Sequence, residues 1–268
     1  MYSRAQANSF VLPSDEPLLP AMARRTASEM SEAAVRDFPI TDFQDFEIDL
    51  LEVKDRGLKK DGTPTLVASY NQQKLTLNLT PGSNWAQVKW RIQPGLYDKS
   101  DTASMKVTLS VGEAVAATIF KIEETVKAVV LQKLKKAFPV LGELDANGLH
   151  KIWHGAMKDE DLFSAKVVLE SKNPDRLTKF TVRPFQKSVV EVAGKAQLQP
   201  LLNENSGFMG AKARAAVSAE SIWIILDQQS RPTSAGILWK IQHMMVDLPE
   251  QVRWHVPNPF ANASWDDE

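Results

Sequence analysis

Apolar and polar residues alternate along most of the chain, which is the pattern of β-strands that bury one face. The clearest alternation is in residues 87–93, where the two faces are Val88, Trp90 and Ile92 against Gln87, Lys89, Arg91 and Gln93. Similar runs predict strands over residues 45–53, 65–70, 74–79, 104–111, 164–170, 177–186, 188–192, 212–226 and 236–246. The run 212–226 is long for a single strand, so we expect a bulge near residues 218–221.

One segment repeats its apolar residues at spacings of three and four, which predicts an amphipathic helix over residues 113–138. The apolar positions are Val115, Ile119, Ile122, Val126, Val129, Val130 and Leu134. A glutamate at the start and lysines in the last turns suit the helix dipole, and Pro139 ends the pattern. A short helical or irregular piece holding His150 and His154 is expected next.

These elements predict a β-rich protein of the α+β class with one long inserted helix. Residues 39–248 are expected to form a single domain that begins with an additional β region. Residues 1–38 are rich in Pro, Ser, Ala and charge, so we expect a mobile arm. Residues 249–268 are interrupted by prolines and are expected to be a flexible acidic tail. Alternation alone does not distinguish a closed barrel from a sandwich.

The composition is that of a globular protein: of 268 residues, 43% are hydrophobic and 24% charged. The absence of cysteine excludes disulfides, Cys-ligated metal sites and a cysteine nucleophile. No apolar stretch approaches the roughly 20 residues that cross a bilayer, and the first residues lack the apolar block of a signal peptide. We therefore expect an intracellular protein without a membrane partner.

Charge is unevenly distributed although the net charge is only −1. Residues 1–70 sum to −4, residues 71–240 to +7 and residues 241–268 to −4. A basic middle between acidic ends is typical of a polyanion-binding protein whose flanks shield its own site. Chance segregation on a solvated surface gives the same sums, so both interpretations stay open.

Sequence motifs for catalysis are lacking. The chain contains no phosphate-binding loop, no dinucleotide-binding glycine motif, no nucleophile elbow and no H-E-x-x-H. His150 and His154 would share one face of a helix, but no carboxylate or thiol follows at a ligand spacing. We therefore predict a protein that is not an enzyme and holds no metal or cofactor. An enzyme with a site around these two histidines remains the third alternative.

Cations lie on the polar faces of four predicted strands. They are Lys89 and Arg91 in the first, Lys179 and Arg183 beside Phe185 in the second, Lys212 and Arg214 in the third, and Lys240 in the last. Cations neutralise phosphates and flat rings stack on bases, so this mixture suits a groove for single-stranded nucleic acid. Lys and Arg are also the default on the wet face of a strand. Trp90, Trp223 and Trp239 each suit a core as well as a stacking site.

The order of motifs carries a family resemblance. A strand (residues 106–109, KVTL) precedes the long helix, and further strands follow at residues 163–169 (FSAKVVL) and 181–185 (TVRPF). Residues 210–217 (GAKARAAV), 221–223 (SIW) and 236–246 (GILWKIQHMMV) complete the order. Over residues 104–268 this order resembles the single-stranded-DNA-binding proteins of phages and large DNA viruses. The resemblance implies an OB-fold-like antiparallel barrel with an inserted helix and a mobile acidic C-terminal tail.

The resemblance also implies a set of site residues. Lys212, Arg214 and Trp223 match the positions that line the binding groove, and Lys179, Arg183 and Phe185 lie on a neighbouring strand. The C-terminal tip looks like an aromatic and acidic segment that recruits replication proteins, and its residues are Trp265, Asp266, Asp267 and Glu268.

Together these patterns predict a sequence-tolerant single-stranded-DNA-binding protein that acts in DNA replication or recombination. Phe185 and Trp223 would stack bases. The phosphates would be neutralised by Lys89, Arg91, Lys179, Arg183, Lys212, Arg214 and Lys240. A homo-oligomer is compatible with this function, and the choice between DNA and RNA stays open. The alternative is a viral structural or assembly β protein that binds no nucleic acid.

Overall fold

A computed structural model describes residues 40–58, 64–94, 103–137, 145–184, 188–229 and 231–249. The predicted arm and almost all of the predicted tail fall outside these residues. Phe185 also falls outside them, as does the predicted partner-recruiting tip of Trp265, Asp266, Asp267 and Glu268.

The described chain is rich in β-strands and includes three α-helices, which confirms the predicted α+β class. The helices are α1 (Glu113–Ala137), α2 (Ala146–Ile152) and α3 (Lys195–Glu204). The first strands are β1 (Thr41–Asp42), β2 (Leu51–Leu58), β3 (Pro64–Tyr70), β4 (Gln73–Lys74), β5 (Thr76–Asn78) and β6 (Ala86–Val88). The remaining strands are β7 (Ser104–Ser110), β8 (Trp153–His154), β9 (Leu162–Val168), β10 (Lys179–Arg183), β11 (Val190–Ala193), β12 (Lys212–Leu226) and β13 (Pro232–Asp247).

The two longest strands, β12 and β13, pair antiparallel along their whole length and form the central ribbon of the fold. Their register shifts between Ala216 and Val217 and again between Ala219 and Ser221. The second shift confirms the bulge expected within this long run. A bulge adds one residue to one strand and turns its side chain to a new direction.

Strand pairing closes a circuit of five strands in the order β6, β7, β9, β13, β12 and back to β6. Four of these junctions are antiparallel. The fifth, between β9 and β13, is parallel and consists of one residue pair, Lys166 with Lys240. In chain order the circuit runs first, second, third, fifth, fourth, which is the arrangement of a five-stranded OB-fold barrel. Closure of the circuit answers the question of barrel or sandwich that the alternation left open.

The inward side chains of this barrel are apolar and buried, because every second residue of a strand points to the same face. Phe163 and Trp239 meet inside it edge to face, with ring centroids 5.8 Å apart. The long helix α1 adds a buried apolar stripe of Val115, Ile119, Ile122, Val126, Val130 and Leu134. The pattern of three and four therefore located this helix correctly.

The predicted strand over residues 87–93 is mostly wrong. Regular pairing ends at Val88, and the following residues run between β7 and the backbone of residues 207–211. At Gly207, with φ 63°, an added Cβ would lie 2.9 Å from the Cβ of Arg91, so glycine allows this close approach. As a result Trp90 does not join Val88 in the core and is 48% exposed.

Two further features differ from the sequence-based expectation. Residues 163–246 were expected to be β structure throughout, but α3 lies within them and carries Pro200 inside the helix. Proline is unusual inside a helix, so the sequence gives no clear helical signal at this position. The sheet is also mixed, since β10 pairs parallel with β13 from Lys179–His243 to Arg183–Asp247.

Candidate nucleic-acid interface

Three lysines stand side by side on the outer surface of the barrel. Lys106 of β7 pairs in register with Lys166 of β9, which pairs in register with Lys240 of β13. We call these three residues the lysine row. Like charges directly opposite one another destabilise a sheet. Lys106 and Lys166 therefore repel each other, and an anion close to them would relieve this repulsion.

A cavity of about 350 Å³ opens beside the lysine row and is lined in part by Lys106, Lys158, Lys166, His154 and Trp223. We call it the stacking cavity. None of the described residues that line it is an aspartate or a glutamate. Partial burial, and then the nearby charge of Lys158, lower the pKa of Lys106 below its ordinary value. A strongly cationic cavity without a carboxylate is well suited to a phosphate group.

Two rings form a stacked pair in this cavity. The Trp223 ring lies against the His154 ring with centroids 5.7 Å apart and planes 29° from parallel. Pairing of β8 with Ala235 and Gly236 of β13 brings His154 to this place. A Cβ at position 236 would lie 2.6 Å from the carbonyl oxygen of His154 and 2.9 Å from the Trp223 ring, so only glycine fits beneath the pair.

His150 and His154 do not share a helix face, because His150 belongs to α2 and His154 to β8. The spacing of four crosses the end of the helix, where the backbone becomes extended at Trp153. Among the described residues, no three His, Asp or Glu side chains gather as a metal site would require. No helix of the described ranges is both long and apolar enough to cross a membrane.

A second cavity, of about 330 Å³, adjoins the first and shares Ser104, Lys166 and Leu238 with it. We call it the Glu220 cavity, since Glu220 lies on its wall together with Arg176 and Lys240. The two cavities form one groove across β7, β9, β13 and β12. The lysine row crosses this groove.

Lys240 does not stand free in the groove, although it lies on the polar face of its strand as predicted. It is only 3% exposed, and its Nζ lies 3.6 Å from a carboxylate oxygen of Glu220 and 3.4 Å from Oε1 of Gln242. Burial lowers the pKa of Lys240, against the opposing charge of Glu220. Its charge is therefore largely neutralised within the protein.

Four predicted cations gather at a different place, on the outer face where β10, β13 and β12 are neighbours. We call this set the β10 patch, and it consists of Lys179, Arg183, Lys212 and Arg214. Arg183 forms a two-point ion pair with Asp247. The guanidinium of Arg214 lies 4.5 Å from the centre of the Trp85 ring, in a cation–π contact.

The predicted site residues that the structure describes thus lie in three places. Trp223 and Lys240 lie at the groove, and the four residues of the β10 patch lie along the continuation of the same strands. Lys89 and Arg91 are exposed on the irregular segment after β6. The sequence pattern did not identify Lys106, Lys158 or Lys166 as site residues, and it named His154 only for a metal or enzyme site shared with His150. Alternation already places Lys106 and Lys166 on outward faces, but nothing local indicates that they are neighbours.

Comparisons with known proteins give structural neighbours only. No family model matches this chain, and no curated protein matches it. Among solved structures, the single-stranded DNA-binding protein from bacteriophage Enc34 is 11% identical, and the match covers 78% of this chain and 98% of that one with a TM-score of 0.30. A C-terminal truncation of the same protein is 10% identical, with 74% and 97% covered and a TM-score of 0.29. At so low a TM-score, function has to be inferred from the residues of this chain.

His243, which pairs with Lys179 of the β10 patch, makes a pH-dependent contribution to stability. Burial, and then the charge of Lys179, lower the pKa of His243 below its ordinary value, and the Nε2 of His243 lies 2.8 Å from Oγ1 of Thr181. The unfolded chain therefore binds a proton more readily than the folded one, so the free energy of unfolding falls as the pH drops below about 6.5.

We expect His243→Gln to weaken this dependence. The free energy of unfolding, from urea titrations at about pH 7.5 and about pH 5.5, should fall less in the variant than in the wild type. An equal loss in both proteins would show that His243 is not the responsible group. Variant His150→Gln, at an exposed histidine of α2, is the matched control and should keep the wild-type loss.

Proposed function

We propose that this chain binds single-stranded DNA without sequence preference and serves in DNA replication or recombination as a binding protein, not as an enzyme. The single observation that carries the proposal is the stacking cavity. It combines the lysines Lys106, Lys158 and Lys166 with the Trp223–His154 ring pair, and its described lining holds no carboxylate to neutralise them. Binding of a sugar–phosphate chain with accessible bases requires these two kinds of group together.

The ring pair favours a single strand over a duplex. Bases in a duplex are stacked on one another and present only their edges in the grooves. A half-buried ring such as Trp223 contacts the flat face of a base only if that base is free to leave its neighbours. The lysines alone would attract either form, so preference for single strands depends on the rings.

The position of the lysine row within the barrel also supports the proposal. Lys106 and Lys166 lie on β7 and β9, the second and third strands of the five-stranded circuit. In OB-folds this face commonly binds oligonucleotides. The β10 patch continues the cationic surface along β13, so a strand longer than the groove would pass over Lys179 and Lys212.

Recruitment of replication proteins by the C-terminal tip stays a prediction from the sequence. The same holds for assembly into homo-oligomers. Both belong to the proposal, and neither is needed for binding of a single strand in the groove.

The deciding experiment is a titration of intrinsic tryptophan fluorescence with a homopolymeric single strand and with a duplex of equal length. We expect quenching that favours the single strand. The slope of log affinity against log salt should be about −2 or steeper, because each of the three lysines of the stacking cavity neutralises a phosphate and contributes about −0.7.

Two outcomes would contradict the proposal. Equal affinity for the duplex would remove the role of the ring pair. A salt-independent or absent interaction would favour the structural or assembly protein, which predicts subunit contacts and no DNA-dependent quenching. The titration at two salt concentrations separates these cases from each other.

A further inference from the structure

Glu220 reaches the groove because it is the bulge residue of β12. Ala219 pairs with Trp239 and Ser221 pairs with Leu238, so Glu220 between them has no cross-strand partner on β13. The extra residue turns toward the outer, cationic side of the sheet, as bulge residues commonly do beside binding sites. Its carboxylate lies on the groove wall beside Arg176 and Lys240.

Three cations surround this carboxylate. The Nζ of Lys74 lies 2.5 Å from Oε1, the Nζ of Lys240 lies 3.6 Å from the same oxygen, and a guanidinium nitrogen of Arg176 lies 3.9 Å from Oε2. Gln242 also donates a hydrogen bond to Oε1, at 3.2 Å. Burial raises the pKa of Glu220, but the hydrogen bond and charge of Lys74 and the charges of Lys240 and Arg176 outweigh it. The pKa lies below its ordinary value, so the group is an anion at neutral pH.

The three cations do not need Glu220 equally. The Lys240 side chain is 4% exposed and requires a counter-charge inside the protein. The side chains of Lys74 and Arg176 are 41% and 68% exposed and would be solvated without any partner. Exposed ion pairs contribute little to stability and exchange readily. Glu220 therefore has one obligatory partner and two that it can release.

We propose that Glu220 competes with nucleic-acid phosphates for Lys74 and Arg176 and thereby limits how tightly the groove holds a strand. The inference rests on the proposed function of the groove. While a strand occupies the groove of the wild type, Glu220 keeps Lys74 and Arg176 as well as Lys240, and the two exposed cations contact phosphates only when the charge of Glu220 is removed. Lys74 and Arg176 are paired with Glu220 and are therefore not available to phosphates. The affinity for a strand is lower than the number of cations near the groove would predict.

The test compares Glu220→Gln with the wild type in binding of a homopolymeric single strand at several salt concentrations. Two freed cations should steepen the slope of log affinity against log salt by about 1.4, at about 0.7 for each contact, and affinity at low salt should rise several-fold. An unchanged or weaker salt dependence in a folded variant would overturn the proposal.

Two further variants separate this role from general effects of charge. Glu52→Gln also removes one negative charge and frees an exposed lysine, Lys54, which lies 3.3 Å from Glu52 on β2. It should leave the slope at the wild-type value. Adding Lys74→Met and Arg176→Met to Glu220→Gln should return the slope to that value as well. Persistence of the steeper slope in this triple variant would overturn the proposal.

A double variant guards against unfolding of Glu220→Gln, and binding to heparin tests the inference independently of the proposed function. Loss of the Glu220 charge leaves Lys240 without its counter-charge, so the double variant Glu220→Gln/Lys240→Met serves if the single variant unfolds. Salt elution from immobilised heparin measures the available cations without reference to DNA. Elution of Glu220→Gln at higher salt than Glu52→Gln would support the inference that Glu220 makes Lys74 and Arg176 unavailable. This result would stand even if the wild type fails to bind single strands. That failure would refute only the proposed function. Equal elution of the two variants refutes the inference.

Discussion

Reversing the charges of Lys106 and Lys166 together to glutamate is expected to lower affinity for single-stranded DNA by about 100-fold at about 0.1 M salt. An ion contact at about 4 Å is worth about 1 kcal/mol in water, and reversal replaces an attraction by a repulsion at each of the two positions. Screening by salt reduces the resulting loss of about 4 kcal/mol to about 3 kcal/mol, which corresponds to the stated factor. The loss is measured by fluorescence titration or by anisotropy of a labelled oligonucleotide.

The same double variant should fold. The two introduced carboxylates would face each other as the two lysines do, with the opposite sign, and one of them would lie beside Lys240. The matched control is Lys121→Glu/Lys136→Glu on α1, which makes the same change in net charge at exposed positions outside the groove lining. If both double variants lose affinity equally, overall charge and not the lysine row would be responsible for binding.

Removing the ring at position 223 has the second largest expected effect. Stacking of a base on an aromatic side chain contributes about 1–3 kcal/mol when measured by alanine substitution, so Trp223→Ala should weaken binding by about 5- to 150-fold. Preference for a single strand over a duplex should fall with it, since the lysines attract both forms. The measurement is a pair of titrations, with single strand and with duplex, on the same variant.

Two companion variants make this result specific. Trp223→Phe keeps a ring but removes the indole, so binding should be mostly retained. The DNA-dependent quenching should decline sharply, because Trp223 is the one of the chain's 7 tryptophans that is expected to stack on a base. Phe120→Ala removes an exposed ring, 45% accessible, from α1 and should leave both binding and quenching unchanged. Full quenching in Trp223→Phe would move the stacking site to another tryptophan, and Trp90 would be the first to test because it is exposed between Lys89 and Arg91.

Local pattern was sufficient for the class of fold and for the face on which each charge lies. The spacing of apolar residues located α1, and alternation placed Lys240 on the polar face of its strand and is compatible with an outward position of Lys166. Alternation could not indicate that these lysines are adjacent, because they are separated by more than 70 residues and meet only through the parallel pairing of β9 with β13. Register between distant strands is a property of the whole sheet.

The misplaced residues have individual physical causes. Trp90 lies outside the core because its segment is not paired as a regular strand, and the N–H of Ile92 instead donates a hydrogen bond to the carbonyl oxygen of Gly207. Lys240 is buried and lies beside the carboxylate of Glu220, the bulge residue of β12, and no local signal marks a bulge residue as an ion-pair partner. His154 belongs to a two-residue strand, which is too short to produce any periodicity.

Closure of the barrel at β9 and β13 through one pair of lysines has a consequence for folding. The chain completes its hydrogen-bonded circuit through the single pair of Lys166 with Lys240, so this seam has the fewest residue pairs of the five junctions. Any polyanion that neutralises the seam binds the closed form and not the unfolded chain, and by linkage it stabilises the native state. Binding of a polyanion and the folding equilibrium of the barrel are thus thermodynamically coupled.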